Sequence, residues 1–363
     1  MTAPLPFDPS FETPEPDEAQ TTAQFVETLR GISETTFKDY GHAVRSLHAK
    51  GYGLLRGELR VFNNLPPHLA QGLFAKPATY PLVMRFSTAP GDVLDDSISS
   101  PRGLAIKLTG VPGPRLPGAE GQSTQDFLFV NGPAFAASSA NAFLKNVKLL
   151  AKTIDAPQGL KKALSAALRG AEAAVEAAGG QSSTLIGLGG QPLTNMLGET
   201  FYTQAPLLYG QYMAKLSCVP VAPALQALIG AKVDVRGKPN AFRDAIVEFF
   251  NKHSGAWELR AQLCTDLTTM PIEDASVAWP EDQSPYVAVA RITIPPQGAW
   301  SEANITEIDE HMAFSPWHGL AAHRPLGSIS RVRKATYEAS AQFRGEHNGC
   351  PIHEPKTVAG MPA

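Results

Sequence analysis

Residues 52–62, YGLLRGELRVF, are the first of a series of short apolar segments separated by turn residues, and this series predicts the fold. Three segments of the same kind follow, namely PLVMRFST (81–88), GLAIKLTG (103–110) and DFLFVNG (126–132). Short apolar runs bounded by glycine, proline and aspartate are typical of β-strands joined by turns. The first third of the chain therefore predicts one group of strands.

A second group of strands is predicted further along the chain. Its segments are QYMAKLSCVPVAP (211–223), WELRAQLCTDL (257–267) and YVAVARITI (286–294). In the last segment two sets of side chains alternate, as they do in a strand with two distinct faces. Because no clear linker separates the two groups, we expect them to form one closed barrel rather than two domains.

Helical segments lie before, between and after the two strand groups. They are TTAQFVETLRGISETTFKDYG (21–41), NAFLKNVKLLAKTI (141–154), LKKALSAALRGAEAAVEAA (160–178) and LGSISRVRKATYEASAQFRGEHN (326–348). Blocks of helices that alternate with blocks of strands indicate an α+β fold rather than βαβ units. We therefore predict an antiparallel β-barrel with surrounding helices.

The domain organisation follows from the same pattern. Residues 1–20 are rich in proline and acidic residues and predict an extended, poorly ordered arm. Residues 21–350 then form a single barrel domain, and residues 351–363 form a C-terminal tail. In that tail, HNGCPIH (347–353) has the spacing of a metal site, but a mobile terminus is the better interpretation.

The composition limits the classes of function. The chain has 363 residues and is 43% hydrophobic, which suffices for a sizeable core. A formal net charge of −3 argues against a general nucleic-acid binder, whose surface would be basic. The three cysteines, Cys218, Cys264 and Cys350, are far apart and favour a reducing, cytoplasmic location. We predict neither a signal peptide nor a membrane span.

The last helix contains the first pattern with chemical content. Arg333, Tyr337 and Arg344 are spaced by four and seven residues and therefore share one helical face. An arginine beside a tyrosine stabilises the phenolate, and a phenolate is one of the few protein ligands of haem iron. A second arginine on that face could pair with a haem propionate. Taken alone, the pattern also fits an ordinary solvated helix face.

Several short motifs together resemble those of the haem catalase family, in the order of that family, over roughly residues 38–345. They are RSLHAKGYGLLRGEL (45–59), RFST (85–88), SPRGLAIKL (100–108), NGPAF (131–135), VAWP (277–280), EHMAFSPWHG (310–319) and the helix of Arg333, Tyr337 and Arg344. The first motif resembles the distal-histidine segment, and NGPAF resembles the distal-asparagine turn. The last motif resembles the helix of the proximal tyrosine.

The resemblance implies a b-type haem and a set of catalytic residues. His48 matches the distal histidine, and a neutral imidazole above the metal can take a proton from peroxide and return it. Asn131 matches the distal asparagine, whose amide orients the peroxide. Tyr337 matches the proximal ligand of the haem iron, with Arg333 supporting its phenolate.

The resemblance also implies how the cofactor is held. Arg45, Arg85 and Arg344 match positions that bind the haem propionates, and Ser87 matches a position that hydrogen-bonds the distal histidine. A strand serine can equally satisfy only the backbone, so both interpretations of Ser87 stay open. Phe135 falls near the haem-packing aromatics of the family. For the neighbouring Phe143, helix packing is the better interpretation.

Departures from the family pattern bear on the reaction. The chain is shorter than ordinary catalases, and FYTQAPLLYGQYMAKLS (201–217) most resembles short catalase-related haem peroxidases and the coral allene oxide synthase. The residue before the distal histidine is Leu47, where the synthase would call for threonine. A wide approach to the haem favours a peroxidase that uses a small organic electron donor. Alternatives are a true catalase, an enzyme that converts fatty-acid hydroperoxides, and a haem binder without turnover; a homo-oligomer is compatible with each.

Overall fold

The computed structural model describes residues 3–152, 157–177 and 190–357. Nine strands occur in this part of the chain. They are β1 (Gly51–Val61), β2 (Thr79–Thr88), β3 (Arg102–Leu108), β4 (Gln125–Val130), β5 (Phe201–Tyr202), β6 (Leu207–Tyr209), β7 (Tyr212–Pro220), β8 (Gly255–Leu263) and β9 (Val287–Ile294). All seven segments that the sequence predicted to be strands contain one.

The strands form one closed antiparallel sheet. Their order is β5-β4-β3-β2-β1-β9-β8-β7-β6, and β5 also pairs with β7, which closes an eight-stranded barrel and leaves β6 outside it. Strand β1 joins the two predicted groups, because it pairs with β2 on one side and with β9 on the other. The predicted α+β fold with an antiparallel barrel is confirmed.

Apolar side chains from both strand groups fill one continuous core. Leu55 and Leu59 of β1, Phe86 of β2 and Trp257 of β8 are all buried within it. Gly57 explains how β1 and β9 approach each other closely, since a Cβ there would lie 2.3 Å from the Thr293 carbonyl oxygen. A side chain at this position would push the two strands apart.

Helices cover the outside of the barrel. The seven α-helices of the described residues are α1 (Glu18–Tyr40), α2 (Ala140–Lys152), α3 (Gln158–Ala177), α4 (Pro223–Gln226), α5 (Ala241–Phe250), α6 (Glu302–Asn304) and α7 (Ser328–Asn348). A π-helical segment, Ile305–Glu310, continues α6. Helix α1 packs against α2 and α7 through a second apolar cluster that includes Phe25, Ile32 and Val332.

The N-terminal segment differs from the predicted poorly ordered arm. The Leu5 and Phe7 amides donate to the carbonyl oxygens of Cys264 and Gln211, each over 2.8 Å. The side chains of Leu5, Phe7 and Phe11 pack against a third apolar cluster. Burial of these apolar residues ties the segment to the barrel, and α1 begins at Glu18 rather than at residue 21.

The C-terminal segment also lies against the body of the protein as far as residue 357. The His353 amide donates to the His311 carbonyl oxygen over 3.0 Å, and the Glu354 carboxylate forms an ion pair with Lys107 at 2.7 Å. The expected mobile tail is therefore fixed in this part. None of the described helices is long and apolar enough to cross a membrane.

Candidate active site

His48 lies in the turn that leads into β1, in a strained backbone conformation. Its φ angle is 57°, in the left-handed region that non-glycine residues seldom adopt. A hydrogen bond from the His48 amide to the Ala89 carbonyl oxygen, 2.9 Å long, holds the turn against the end of β2. Strain of this kind persists where the surrounding structure fixes it, and it is concentrated at functional sites.

The His48 imidazole is held by two neighbours on adjacent strands. Its Nδ1 lies 3.0 Å from the Ser87 hydroxyl oxygen, so the predicted contact is present. The Ser87 hydroxyl in turn donates to the Gly103 carbonyl oxygen over 3.4 Å. With the serine proton directed there, the matching imidazole tautomer is the one that carries its proton on Nδ1 and its lone pair on Nε2.

Gly103 supplies the space that the imidazole fills. A Cβ at this position would lie 2.5 Å from both Cε1 and Nδ1 of His48. Real carbon contacts are much longer than this, so the ring packs directly on the backbone of β3. The glycine in SPRGLAIKL therefore has a steric role at the site.

The environment keeps the imidazole neutral. Burial lowers the pKa of His48 to about 3, and the positive charges of Arg85, Arg333 and Arg45 act in the same direction. A neutral imidazole is the form that can accept a proton. His48 is therefore a base at any pH near neutrality.

Tyr337 and Arg333 form a pair on α7. The Arg333 guanidinium donates to the Tyr337 hydroxyl oxygen over 3.0 Å, and its carbon lies 5.2 Å from the centre of the tyrosine ring. The i, i+4 spacing on one helix brings them together, as the sequence predicted. Since Arg333 also lowers the pKa of His48, its charge acts on both the histidine and the tyrosine.

The three arginines that the sequence assigned to haem propionates converge on Asp309, two through its carboxylate and one through its backbone carbonyl. Asp309, at the end of the π-helical segment, forms ion pairs with Arg45 and with Arg85, the second over 2.7 Å. Arg344 of α7 donates to the Asp309 carbonyl oxygen over 2.9 Å. Residues from the turn before β1, from β2 and from α7 thus form a single cationic cluster.

Positive charge exceeds negative charge in this cluster. Burial raises the pKa of Asp309, but Arg85 and Arg45 outweigh it and lower that pKa to about 2. Burial lowers the pKa of Arg344 to about 10, and Arg344 Nε is buried without a hydrogen-bond partner. Among the described residues, Asp309 is the carboxylate that forms ion pairs with Arg45 and Arg85, and Arg344 lies beside them without such a pair, so further carboxylates would be stabilised here.

Asn131 lies at the end of β4, where its side chain is fully engaged. Its amide nitrogen is 2.7 Å from Glu199 Oε2 and 3.2 Å from Gln191 Oε1, and its oxygen accepts from the Arg102 amide over 2.8 Å. To orient a peroxide, Asn131 would have to give up one of its two donated bonds. Its role as a distal donor stays a prediction.

The aromatic residues predicted near the haem form a packing chain. The ring of Phe135 meets that of Phe143 edge to face at 4.7 Å, and Phe143 meets Phe25 of α1 at 4.9 Å. Phe143 of α2 thus packs against α1, in agreement with the helix-packing role that the sequence favoured for it. Stacking of Phe135 on a haem stays a prediction.

A cavity of about 670 Å³ adjoins the tyrosine. Its walls come from α7, from the loop after β3, from residues 313–318 and from the C-terminal segment; they include Tyr337, Ala341, Phe314, Trp317, His318 and Ile352. Ligand pockets in proteins have volumes of roughly 300–1,000 Å³. The cavity is therefore large enough for a substantial organic group beside the phenol.

An ion cluster borders this cavity. Lys107 of β3 is fully buried, and its ammonium lies 2.7 Å and 2.8 Å from the Asp126 carboxylate oxygens and 2.7 Å from Glu354. His318 completes the group. Although Asp126, His318 and Glu354 are close enough together to hold a metal ion, the ammonium already occupies their carboxylates.

Asp309, Lys107 and Glu354 were not predicted from the sequence. The local signal that could have indicated such residues is a charge within an apolar strand, such as the lysine of GLAIKL. A buried charge requires a partner, so such a lysine could have been marked as half of a buried pair. The partners themselves are distant in sequence and could not have been found.

The fold is that of the catalases, an α+β architecture around a closed antiparallel barrel. A fungal catalase matches with a TM-score of 0.57 and 16% sequence identity, over 91% of this chain and 68% of the catalase. Catalase A from Saccharomyces cerevisiae matches with a TM-score of 0.57 and 15% identity, over 91% of this chain and 70% of its own. A bacterial catalase gives a TM-score of 0.57 and 15% identity, with coverages of 91% and 65%. No protein-family model and no curated protein matches the sequence.

The residues present fit a haem in three respects. Tyr337 offers a phenol oxygen beside a cation, whereas the adjoining cavity is lined by neither His48 nor the three arginines. The arginine cluster has unbalanced positive charge and a buried unpaired Arg344 Nε, which suit propionate carboxylates. His48 is a half-buried, neutral base. Only the first of these was evident from the spacing of residues along one helix.

Proposed function

We propose that this protein is a haem-dependent peroxidase that reduces hydrogen peroxide or organic hydroperoxides. The observation that carries the proposal is the pairing of Arg333 with Tyr337, together with the effect of the same Arg333 on a half-buried, neutral His48. A phenol beside a cation suits a ferric iron, and a base beside the same cation suits peroxide chemistry. The catalase fold supports the assignment at the level of architecture.

Tyr337 would hold the haem iron through its phenolate, and Arg45, Arg85 and Arg344 would hold the propionates. The haem supplies the redox chemistry that splits the oxygen–oxygen bond. Arg333 would support this ligand by donating a hydrogen bond to the tyrosine oxygen. The protein's contribution is therefore to bind, orient and set the charge around the cofactor.

His48 would move the proton. Its Nε2 would accept a proton from one peroxide oxygen and then return it to the oxygen that leaves as water or alcohol. Ser87 and Gly103 fix the ring for both steps, because one holds Nδ1 and the other leaves no room for rotation.

Peroxidase activity is favoured over rapid hydrogen peroxide disproportionation. Both Asn131 amide hydrogens are bonded to protein oxygens, so the donor that would align a second peroxide is engaged elsewhere. The resemblance to short catalase-related peroxidases points in the same direction. A small organic molecule would then supply the electrons.

The test is the visible spectrum of the purified protein before and after hydrogen peroxide, with an oxygen electrode in the same cuvette. We expect a ferric Soret band that peroxide changes, with slow oxygen release and oxidation of an added phenol. Brisk oxygen release would instead identify a catalase. Absence of a Soret band after haem has been supplied would refute the proposal.

A further inference from the structure

We propose that the cavity beside Tyr337 contains a binding site for organic carboxylates, which the protein's own Glu354 occupies. The site consists of Lys107, Thr124 and His318. The inference rests on the proposed function, because the carboxylate would be a substrate or an electron donor of the proposed peroxidase.

Three side chains surround the Glu354 carboxylate, and we call them the receptor. The Lys107 ammonium and the Thr124 hydroxyl each donate to Oε2 over 2.7 Å. His318 Nδ1 lies 2.9 Å from Oε1, which is buried and accepts no hydrogen bond. Two hydrogen bonds to an ionised group and one ion pair therefore hold this carboxylate.

The receptor is rigid without Glu354. Lys107 and Asp126 lie opposite each other in β3 and β4, and both are fully buried. Asp126 holds the ammonium by both of its oxygens and also accepts from the Ser315 amide over 2.9 Å. The donors would therefore stay in place if the Glu354 carboxylate left.

The charges of the site require an anion. Burial lowers the pKa of His318, but Asp126 and Glu354 outweigh it and raise that pKa to about 9, so the imidazole is charged at neutral pH. Lys107 and charged His318 are balanced by Asp126 and Glu354. Departure of Glu354 would leave one uncompensated buried positive charge, which another carboxylate would neutralise.

The group that occupies the receptor belongs to a short segment without regular structure. Residues 351–354 follow the end of α7 and line the cavity. Apart from Glu354, the segment is attached by the hydrogen bond from the His353 amide to His311. A few contacts of this kind can be exchanged for those of a ligand, and the segment can then move away from the cavity.

The rest of the cavity defines the body of the ligand. Phe314, Trp317, Ala341 and Ile352 offer apolar surface next to the receptor. Trp317 is held in place because its Nε1 donates to the Ser330 carbonyl oxygen over 2.8 Å. In such a ligand the carboxylate would bind to the receptor and an aliphatic or aromatic group would contact the apolar wall. The ligand would then lie beside Tyr337.

Binding of decanoate to the purified protein, measured by isothermal titration calorimetry, tests the proposal, with decanol as the neutral probe. We expect Glu354→Gln to bind decanoate at least about tenfold more tightly than the wild type, because the competing carboxylate is gone. Glu346→Gln is the matched control, since Glu346 lines the same cavity without contacting the receptor. His318→Gln added to Glu354→Gln should remove the gain.

A second measurement uses the wild type and needs no variant to fold. Decanoate should accelerate tryptic cleavage after Lys356, because it displaces the segment, whereas decanol should not. Equal decanoate affinity in Glu354→Gln and Glu346→Gln, or equal effects of decanol, would overturn the proposal. Neither experiment uses peroxide, so both test the carboxylate site alone. The peroxidase function is tested separately by the visible spectrum.

Discussion

The Arg333 guanidinium lies 3.0 Å from the hydroxyl oxygen of Tyr337, one helical turn further along α7. The same guanidinium lowers the pKa of His48, a residue of the turn before β1. One half-buried cation therefore contacts the phenol and also favours a neutral imidazole. A neutral imidazole is the form that a peroxide base requires.

Replacing Tyr337 by phenylalanine should abolish iron ligation. We expect Tyr337→Phe to lose most of its haem or to show a markedly shifted Soret band, because the phenol oxygen is the proposed ligand. The measurement is the spectrum after haem titration. Tyr80→Phe, which removes a hydroxyl from β2 instead, is the control. An unchanged spectrum in Tyr337→Phe would disprove the ligand assignment.

Replacing His48 should remove peroxide reactivity and leave haem in place. General acid–base catalysis contributes about 10²–10⁴-fold, so His48→Ala should slow the reaction with peroxide by that factor. Stopped-flow spectroscopy of the haem-loaded variant measures the rate. If the variant reacts as fast as the wild type, the role of His48 as proton carrier is wrong.

A methyl group on Gly103 should displace the imidazole. The added Cβ would lie 2.5 Å from two ring atoms of His48, so Gly103→Ala should reduce the peroxide rate at least about tenfold and cost about 1–3 kcal/mol of stability. Gly132→Ala is a matched control, because its Cβ would meet its nearest neighbour at 3.7 Å. Similar rates in both variants would contradict the packing of His48 on β3.

The rate of peroxide reaction should be nearly independent of pH between about pH 5 and 8. A histidine with the ordinary pKa of 6.5 would become protonated over this range and lose its basicity, whereas the pKa of His48 is lowered to about 3. Stopped-flow rates at constant ionic strength provide the test. A tenfold fall in rate centred near pH 6.5 would show that His48 titrates normally.

Asp309 should contribute stability that depends on pH. Its folded-state pKa of about 2 is below the ordinary 3.8, so this contribution is complete above about pH 4 and disappears as the pH falls towards 2. The shift corresponds to about 2 kcal/mol, at 1.36 kcal/mol per pKa unit. In urea unfolding, Asp309→Asn should lose about that much at pH 7 and less at pH 3. An equal loss at both pH values would exclude the ion-pair explanation.

The barrel and the Arg333–Tyr337 pair on α7 could be predicted from local patterns. Short apolar segments of period two specify strands, and the spacing of Arg333 and Tyr337 specifies a shared helix face, because both patterns depend on local backbone geometry. The roles of His48 and the arginines came from motifs that resemble those of the haem catalase family, and these roles stay predictions. For Ser87 the sequence left two interpretations open, and the structure shows the contact with His48.

The pairing of buried charges could not be predicted, because it depends on contacts between distant parts of the chain. Asp309 is 224 residues from Arg85, and Glu354 is 247 residues from Lys107, so no periodic pattern links them. The engagement of Asn131 by Glu199 and the docking of both terminal segments are likewise decided by long-range contacts. Local propensity specifies the elements, whereas partners of buried charges are fixed only when the barrel closes and water is excluded from them.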